Sequence, residues 1–420
     1  MSSEPVETPT EEVVEETIND SNPEEEEEIV IDDENYVVMD AEEFLARAEE
    51  ELKREEEEAA AAEEAEEVEE IVRDSFFSFE KHMDSVLCVA MNPMNPGQVL
   101  TGGQDNLAFL FNANNPEKVV ELKGHEESVC CVGFSPKGDL CATMDMNGIL
   151  KLWKTMNGAL VTTIEGPGEP EWIRFHPNGK ILLASGNDYS IWMWLIPSGE
   201  QYALLSGHTD VVTCAAISPS GKMMVTGSLD NSLKTWLFRS KECVHSQHPD
   251  DPSWHLGGIE SVAISSALSL CASGARDGSV RLTQLTTHKI VASFAHTSEN
   301  EEENCGVEAL AFNDRFRWLA SAGMNGVVML YDVGSSRVRA EMKHNGGVIR
   351  MVWHPNQVVL ITACLDGCVY LWDGRTGQLL KQLNGHTDML LDMDVVVDKN
   401  KTYICTVSDD KTCQVFRVEI

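Results

Sequence analysis

The residues best suited to chemistry in this chain are histidine, a hydroxyl residue and aspartate at fixed spacing. His208, Thr226 and Asp230 form one such set, and His344, Thr362 and Asp366 form a second. A hydroxyl, an imidazole and a carboxylate brought together could act as nucleophile, base and orienting acid of a hydrolase. The spacing argues against that use. Each set is followed by a tryptophan, Trp236 or Trp372, and related sets recur along the whole chain. A catalytic centre is needed once, whereas a set that recurs is a structural device. No phosphate-binding Gly-x-x-x-x-Gly-Lys-Ser/Thr loop, His-Glu-x-x-His or Gly-x-Ser-x-Gly motif is present, and the chain reads as a non-enzyme without cofactor.

The repeat that carries these residues ends each time on an apolar-x-aromatic run, at Phe111, Trp153, Trp194, Trp236, Tyr331, Trp372 and Phe416, with a degenerate copy at Thr283. Asp or Asn lies six residues before every terminator: Asp105, Asn147, Asp188, Asp230, Asp277, Asn325, Asp366 and Asp410. Ser or Thr lies ten residues before all but one, where Ala184 stands. A histidine precedes most copies, at His82, His125, His208, His255, His344 and His386. Within each copy, short runs of Val, Ile, Leu, Thr and Cys alternate with Gly, Asn and Asp turns, which predicts β-strands.

These motifs resemble WD repeats, which fold as four-stranded blades of a β-propeller. The resemblance implies an all-β fold of eight blades over residues 73–420. Copy five is the weakest, and its loss would leave seven. It also implies that His208, Thr226, Asp230 and Trp236, and His344, Thr362, Asp366 and Trp372, are buried hydrogen-bonded tetrads and not active sites. The final copy lacks a fourth strand, and residues 74–80 are expected to supply it and close the ring.

The remaining chain is an acidic tail. Residues 1–70 hold 31 acidic and 3 basic side chains out of a formal net charge of −39 for the chain. Composition predicts a disordered tail over 1–38 and an Ala/Glu-rich helix over 39–72, opened by a capping box at Asp40 and Glu43. So negative a chain is a poor ligand for nucleic acid. No apolar run is long enough to span a membrane, and the N-terminal residues are acidic without an apolar stretch, so no secretory signal is expected. The twelve cysteines sit singly within apolar runs and show no zinc spacing, which fits buried thiols in a reducing, cytoplasmic setting and no metal site. A nuclear or membrane-peripheral placement stays open.

In a propeller, the loop before each blade's first strand lies on one face, here called the top. Acidic residues recur there: Asp84, Glu126, Glu127, Glu169, Glu171, Asp210, Asp250, Asp251, Glu301, Glu302, Glu303 and Asp388. Trp172 follows the unusual Gly-Pro-Gly-Glu-Pro-Glu segment that replaces Gly-His before the third copy. Together these residues are expected to form a rim that attracts a basic protein partner, on a monomeric protein.

The string Glu169-Pro-Glu-Trp-Ile-Arg-Phe-His-Pro177 is followed by Leu182-Leu-Ala-Ser-Gly186 and Ile191-Trp-Met-Trp194. Further on come Cys364-Leu-Asp-Gly-Cys-Val-Tyr-Leu-Trp-Asp-Gly-Arg-Thr-Gly377 and Ser408-Asp-Asp-Lys-Thr-Cys-Gln-Val-Phe416. Over residues 74–420 the chain resembles the angio-associated migratory cell protein family. The resemblance implies a protein-binding propeller. A fungal relative in this group implies an escort, or chaperone, for a basic large-subunit ribosomal protein during ribosome assembly. The animal members imply instead a scaffold in cell migration and angiogenesis. A third reading, a ubiquitin-ligase substrate receptor, rests on Trp372-Asp373-Gly374-Arg375 alone.

Overall fold

The structure is a computed structural model that describes residues 27–32, 35–40, 73–248, 253–265, 267–296, 305–399 and 401–420. From Phe77 onward the chain forms eight four-stranded antiparallel sheets, the blades of a propeller. The innermost strands, in chain order, are Val86–Asn92, Val129–Phe134, Trp172–Phe175, Cys214–Ile217, Ile259–Ser265, Val307–Asn313, Val348–Trp353 and Leu390–Asp398. They define blades 1 to 8. Copy five makes a full blade, Ile259–Ala295, although Thr283 stands where other copies carry an aromatic ring.

Burial follows from position in the blade. The second strand lies between two strands of its own sheet and two neighbouring blades, and it is buried throughout, as in Val359–Cys364 and Leu270–Ala275, where the one hydroxyl residue of each strand meets a histidine. The fourth strand faces solvent, and in Leu379–Leu383 only Leu383 is buried. Tight turns fix the pairing on the bottom face. In Ser135-Pro-Lys-Gly138 the Gly138 N–H donates to Ser135 O at 2.8 Å, and Gly138 has φ of +68°. A Cβ there would meet Asn92 Oδ1 at 2.1 Å, so only glycine fits against blade 1.

Blade 8 is completed by the chain's first propeller strand. Phe77, Ser78 and Phe79 pair with Val415, Gln414 and Cys413. The short strand carries a large apolar load. Phe79 stacks on Phe111 with centroids 4.1 Å apart and shares a core with Val86, Val99, Tyr403 and Val415. Blades 8 and 1 are thereby joined both by strand pairing and by packing.

In the acidic tail, Glu27–Asp32 and Asn35–Asp40 pair as an antiparallel hairpin. Its register places Ile29 opposite Val38 and Ile31 opposite Tyr36, within a β-branched and aromatic run of the kind that favours strands. Apart from Met39 and Asp40, the segment expected to be helical lies outside the described residues.

Replacing Phe79 with Ala is expected to lower the unfolding free energy by about 3 kcal/mol, the usual cost of truncating a buried phenylalanine. Urea unfolding measures it. A loss below about 1 kcal/mol would mean that the closing strand contributes little to stability.

Candidate protein-binding face

The loops entering each first strand and those joining second to third strands share the top face, and both kinds are held from below by histidines. In blade 4, Trp236 Nε1–H donates to Thr226 Oγ1 at 2.9 Å. The Thr226 hydroxyl lies 2.8 Å from His208 Nε2, and His208 Nδ1 lies 2.9 Å from Asp230. With Nδ1–H directed to Asp230, a neutral ring presents Nε2 as an acceptor for the Thr226 hydroxyl. Burial acts the same way and holds the pKa of His82, His125, His208 and His344 below the ordinary 6.5.

The second tetrad departs from expectation. His344 reaches Thr362 at 2.8 Å, and Trp372 donates to Thr362 at 3.1 Å. His344 Nδ1, however, donates to Gly326 O at 3.0 Å. Asp366 is taken instead by the Tyr370 hydroxyl and the Cys368 N–H. A complete tetrad that the spacing did not single out lies in blade 2. His125 contacts Asp145 at 2.8 Å and Thr143 at 2.7 Å, and Trp153 donates to Thr143 at 2.9 Å. Its carboxylate is Asp145, two residues before the Asn147 expected there. His296, also missed, contacts Ser321 at 2.7 Å in blade 6.

Blade 3 has no histidine in the loop entering its first strand, and backbone packing replaces it. Gly166 N–H donates to Gly148 O at 2.9 Å, and Glu169 N–H to Met146 O at 2.8 Å. A Cβ on Gly148 would meet Pro167 O at 2.2 Å, so the Gly-Pro-Gly segment sits directly on the blade 2 loop. This contact explains Trp172. It is 5% exposed, packs with Leu183, Ile191 and Val212, and donates from Nε1 to Val212 O at 2.9 Å. Trp172 is therefore a core residue and not part of the expected rim.

The expected carboxylates other than Glu171 fall into three groups. Asp84, Asp210 and Asp388 occupy equivalent turns, each accepting the N–H of the next residue, Ser85, Val211 or Met389, at 2.7–2.9 Å. Their recurrence thus has a structural cause, and each keeps a second oxygen for solvent or a ligand. Glu126, Glu127 and Glu169 are exposed. Asp250, Asp251, Glu301, Glu302 and Glu303 lie outside the described residues.

Glu171 belongs to a cluster that the sequence did not suggest. In six blades the inner strand carries a register shift at its second residue, which in blades 5 and 6 is Glu260 and Glu308. A bulged residue has no cross-strand partner and is re-aimed, here toward the channel mouth. Glu171 holds the corresponding place before Trp172. Arg276, from the blade 5 loop, forms an ion pair with Glu260. Burial, then the charge of Glu260, raises the pKa of both Glu171 and Glu308, against the pull of Arg276. One cation thus serves three carboxylates at the mouth of the channel.

Deeper in the channel, a cavity of about 530 Å³ is lined by Arg174, Arg350, Asp392 and Asp394 among apolar residues. Arg350 donates to Asp392 at 2.8 Å, and Asp394 accepts the Met91 N–H at 2.7 Å. Burial raises the pKa of Asp394. Among the described residues no group of three His, Cys, Asp or Glu could hold a metal ion.

The family profile described as "WD domain, G-beta repeat" matches residues 116–154, 158–194, 199–236, 242–283, 289–332, 337–373 and 377–417. The chain is a WD-repeat protein. Each match begins on one blade's outer strand and ends within the next blade. The first three strands of blade 1, Val86–Asn112, precede the first match. Angio-associated migratory cell protein of human and of dog is 33% identical over 355 residues, covering 82% of this chain and 80% of the relative. The chain belongs to that family. Ribosome assembly protein SQT1 of Saccharomyces cerevisiae is 25% identical over 386 residues, 83% of this chain and 88% of the relative. Two solved WD-repeat propellers have the same fold. Sqt1 of S. cerevisiae superposes with a TM-score of 0.77 at 23% identity, over 83% of this chain and all of that one. Sqt1 of Chaetomium thermophilum, bound to the N-terminus of ribosomal protein L10, superposes at 0.75 and 24% identity, over 82% and 100%.

The buried imidazoles make stability depend on pH with a definite sign. Their pKa is depressed, so below the ordinary 6.5 the unfolded chain takes up protons that the folded chain refuses. The thermal midpoint is expected to be level above pH 7 and to fall from pH 7 to 5, where ordinary carboxylates stay ionised. A midpoint that rises over that window would overturn the neutral-tetrad account. At lower pH Asp410 adds to the loss. Burial pushes its pKa up, but hydrogen bonds from His386, Thr412 and the Thr387 N–H outweigh that and hold it at about 2. Its contribution is complete above the ordinary 3.8 and disappears as pH falls toward 2.

Proposed function

We propose that this WD-repeat protein is a non-enzymatic escort that holds a basic client, of the large-subunit ribosomal protein type, on its acidic top face. The observation that carries this reading is the set of carboxylates at the channel mouth, Glu171, Glu260 and Glu308, sharing the single cation Arg276. Carboxylates whose charge is poorly compensated gain most when a lysine or arginine is added. Exposed Glu126, Glu127, Glu169 and Asp388 extend the same potential outward and would steer a cationic segment to the mouth. The relative SQT1 bears the name of a ribosome assembly protein, and its Chaetomium counterpart holds the N-terminus of ribosomal protein L10. Neutralising a client's Lys and Arg would shield it from RNA until delivery. The cytoplasm is the setting that fits this role.

A second reading, a scaffold in cell migration, draws on the higher identity to the angio-associated relatives, 33% against 25%. The two differ in partner chemistry. The full chain, used to capture proteins from lysate of its own organism, is expected to retain one basic ribosomal protein in stoichiometric amount, released as salt rises. Changing Glu171, Glu260 and Glu308 together to Gln is expected to weaken capture at least about tenfold at low salt. A salt-insensitive set of signalling or cytoskeletal proteins would overturn the escort reading in favour of the scaffold.

A further inference from the structure

The top face is not only acidic. Met83, Met146, Tyr189, Leu256, Met324 and Met389 are all exposed there, Leu256 by 82% and Met83 by 79%. Their placement follows from the topology. Met83, Leu256 and Met389 lie in loops that enter first strands, and Met146, Tyr189 and Met324 in loops that join second to third strands. Among the described residues, the opposite face has only Met94 and Met156 as exposed large apolar residues of its turns, and the others lie on outer strands. Scattered single apolar residues are ordinary on a protein surface, but recurrence on one face of a ring is not.

These side chains alternate with carboxylates. Met83 adjoins Asp84, Tyr189 adjoins Asp188, and Met389 adjoins Asp388, while Met146 O accepts the Glu169 N–H at 2.8 Å. A purely basic ligand would satisfy the acids and leave the thioethers in water. A purely apolar ligand would desolvate the acids without compensation. Both are satisfied by one chemistry, a segment in which Lys or Arg alternates with bulky apolar or aromatic residues. Methionine suits such a surface because its unbranched, polarizable side chain adapts to varied apolar shapes.

We infer that the top face is an amphipathic docking surface, and that its occupant is a basic segment of a client protein that also carries large apolar side chains. This rests on the escort reading and narrows it. Charge excludes the chain's own tail, with 31 acidic and 3 basic residues in 1–70. It equally disfavours a second copy presenting the same acidic face, and an anionic lipid surface.

The test uses the full chain and two synthetic peptides of equal length and charge, one of Lys interspersed with Leu, the other of Lys interspersed with Ser. The Lys/Leu peptide is expected to bind about tenfold more tightly and to keep that margin as salt rises, because burial of apolar surface is not screened. Changing Met146, Met324 and Met389 together to Ser is expected to remove the margin while leaving Lys/Ser binding unchanged. All three are exposed, so a circular dichroism melt is expected to match the parent chain. Equal binding of the two peptides to the parent chain would overturn the amphipathic surface and leave the escort reading intact. So would a margin that survives the methionine changes. Failure of both peptides to bind at low salt would overturn the two together.

Discussion

An innermost propeller strand pairs along one edge only, and the bare backbone of its other edge must be satisfied by something. In this protein the neighbouring blade supplies it. Cys88 Sγ–H donates to Val129 O at 3.4 Å, Ser185 Oγ–H to Val212 O at 2.8 Å, and Ser261 Oγ–H to Val307 O at 2.7 Å. Thr213 bonds Ile259 O in the same manner. Between blades 8 and 1 the sense reverses, with Asp392 and Asp394 accepting the Val89 and Met91 N–H groups. At these five junctions a side chain of one blade completes the backbone of the next. Charge inside the channel follows from this requirement. Asp392 is there to receive amide protons, and Arg350 compensates it.

The division between frame and surface is similarly economical. The buried histidines hold the loops from below through hydroxyls and carboxylates. Asp84, Asp210 and Asp388 cap turns with one oxygen and face outward with the other. A face built this way is acidic because its turns need acceptors, and binding can use what folding already placed there. Glu260 and Glu308 differ. They lie where a bulge has released them from pairing, Glu260 held by Arg276 and Glu308 within reach of the same charge.

The period of the repeat, the eight terminators and the closing role of residues 74–80, of which 77–79 form the strand, were legible because each follows from spacing or from an unpaired edge. What escaped depended on distances that spacing does not encode. His296 lies 25 residues before Ser321, whereas His125 lies 18 before Thr143; the long acidic loop intervenes and conceals the pairing. Asp366 had the right position, but Tyr370 competes for it, and a hydroxyl two residues from the tryptophan gave no sign of doing so. Trp172 looked exposed after a Gly/Pro turn. Its burial became evident only when that turn was found filling the site of a missing histidine. Glu260 and Glu308 carry no signal in the sequence, since a bulge is a property of two paired strands and not of one.

The closing sheet sets an order of events for biosynthesis. Ser75 bonds Gln414 across 339 positions of sequence, and the strand that seals blade 8 is among the first propeller residues to be made. Blades 2 to 7 are each local in sequence and can form as they emerge. Residues 77–79 can pack Phe79 on Phe111 of blade 1 at once, but they have no strand partner until Cys413–Glu419 has been synthesised. During translation the nascent ring is therefore an open arc with an apolar leading edge, and the protein reaches its finished form only when the last strand leaves the ribosome.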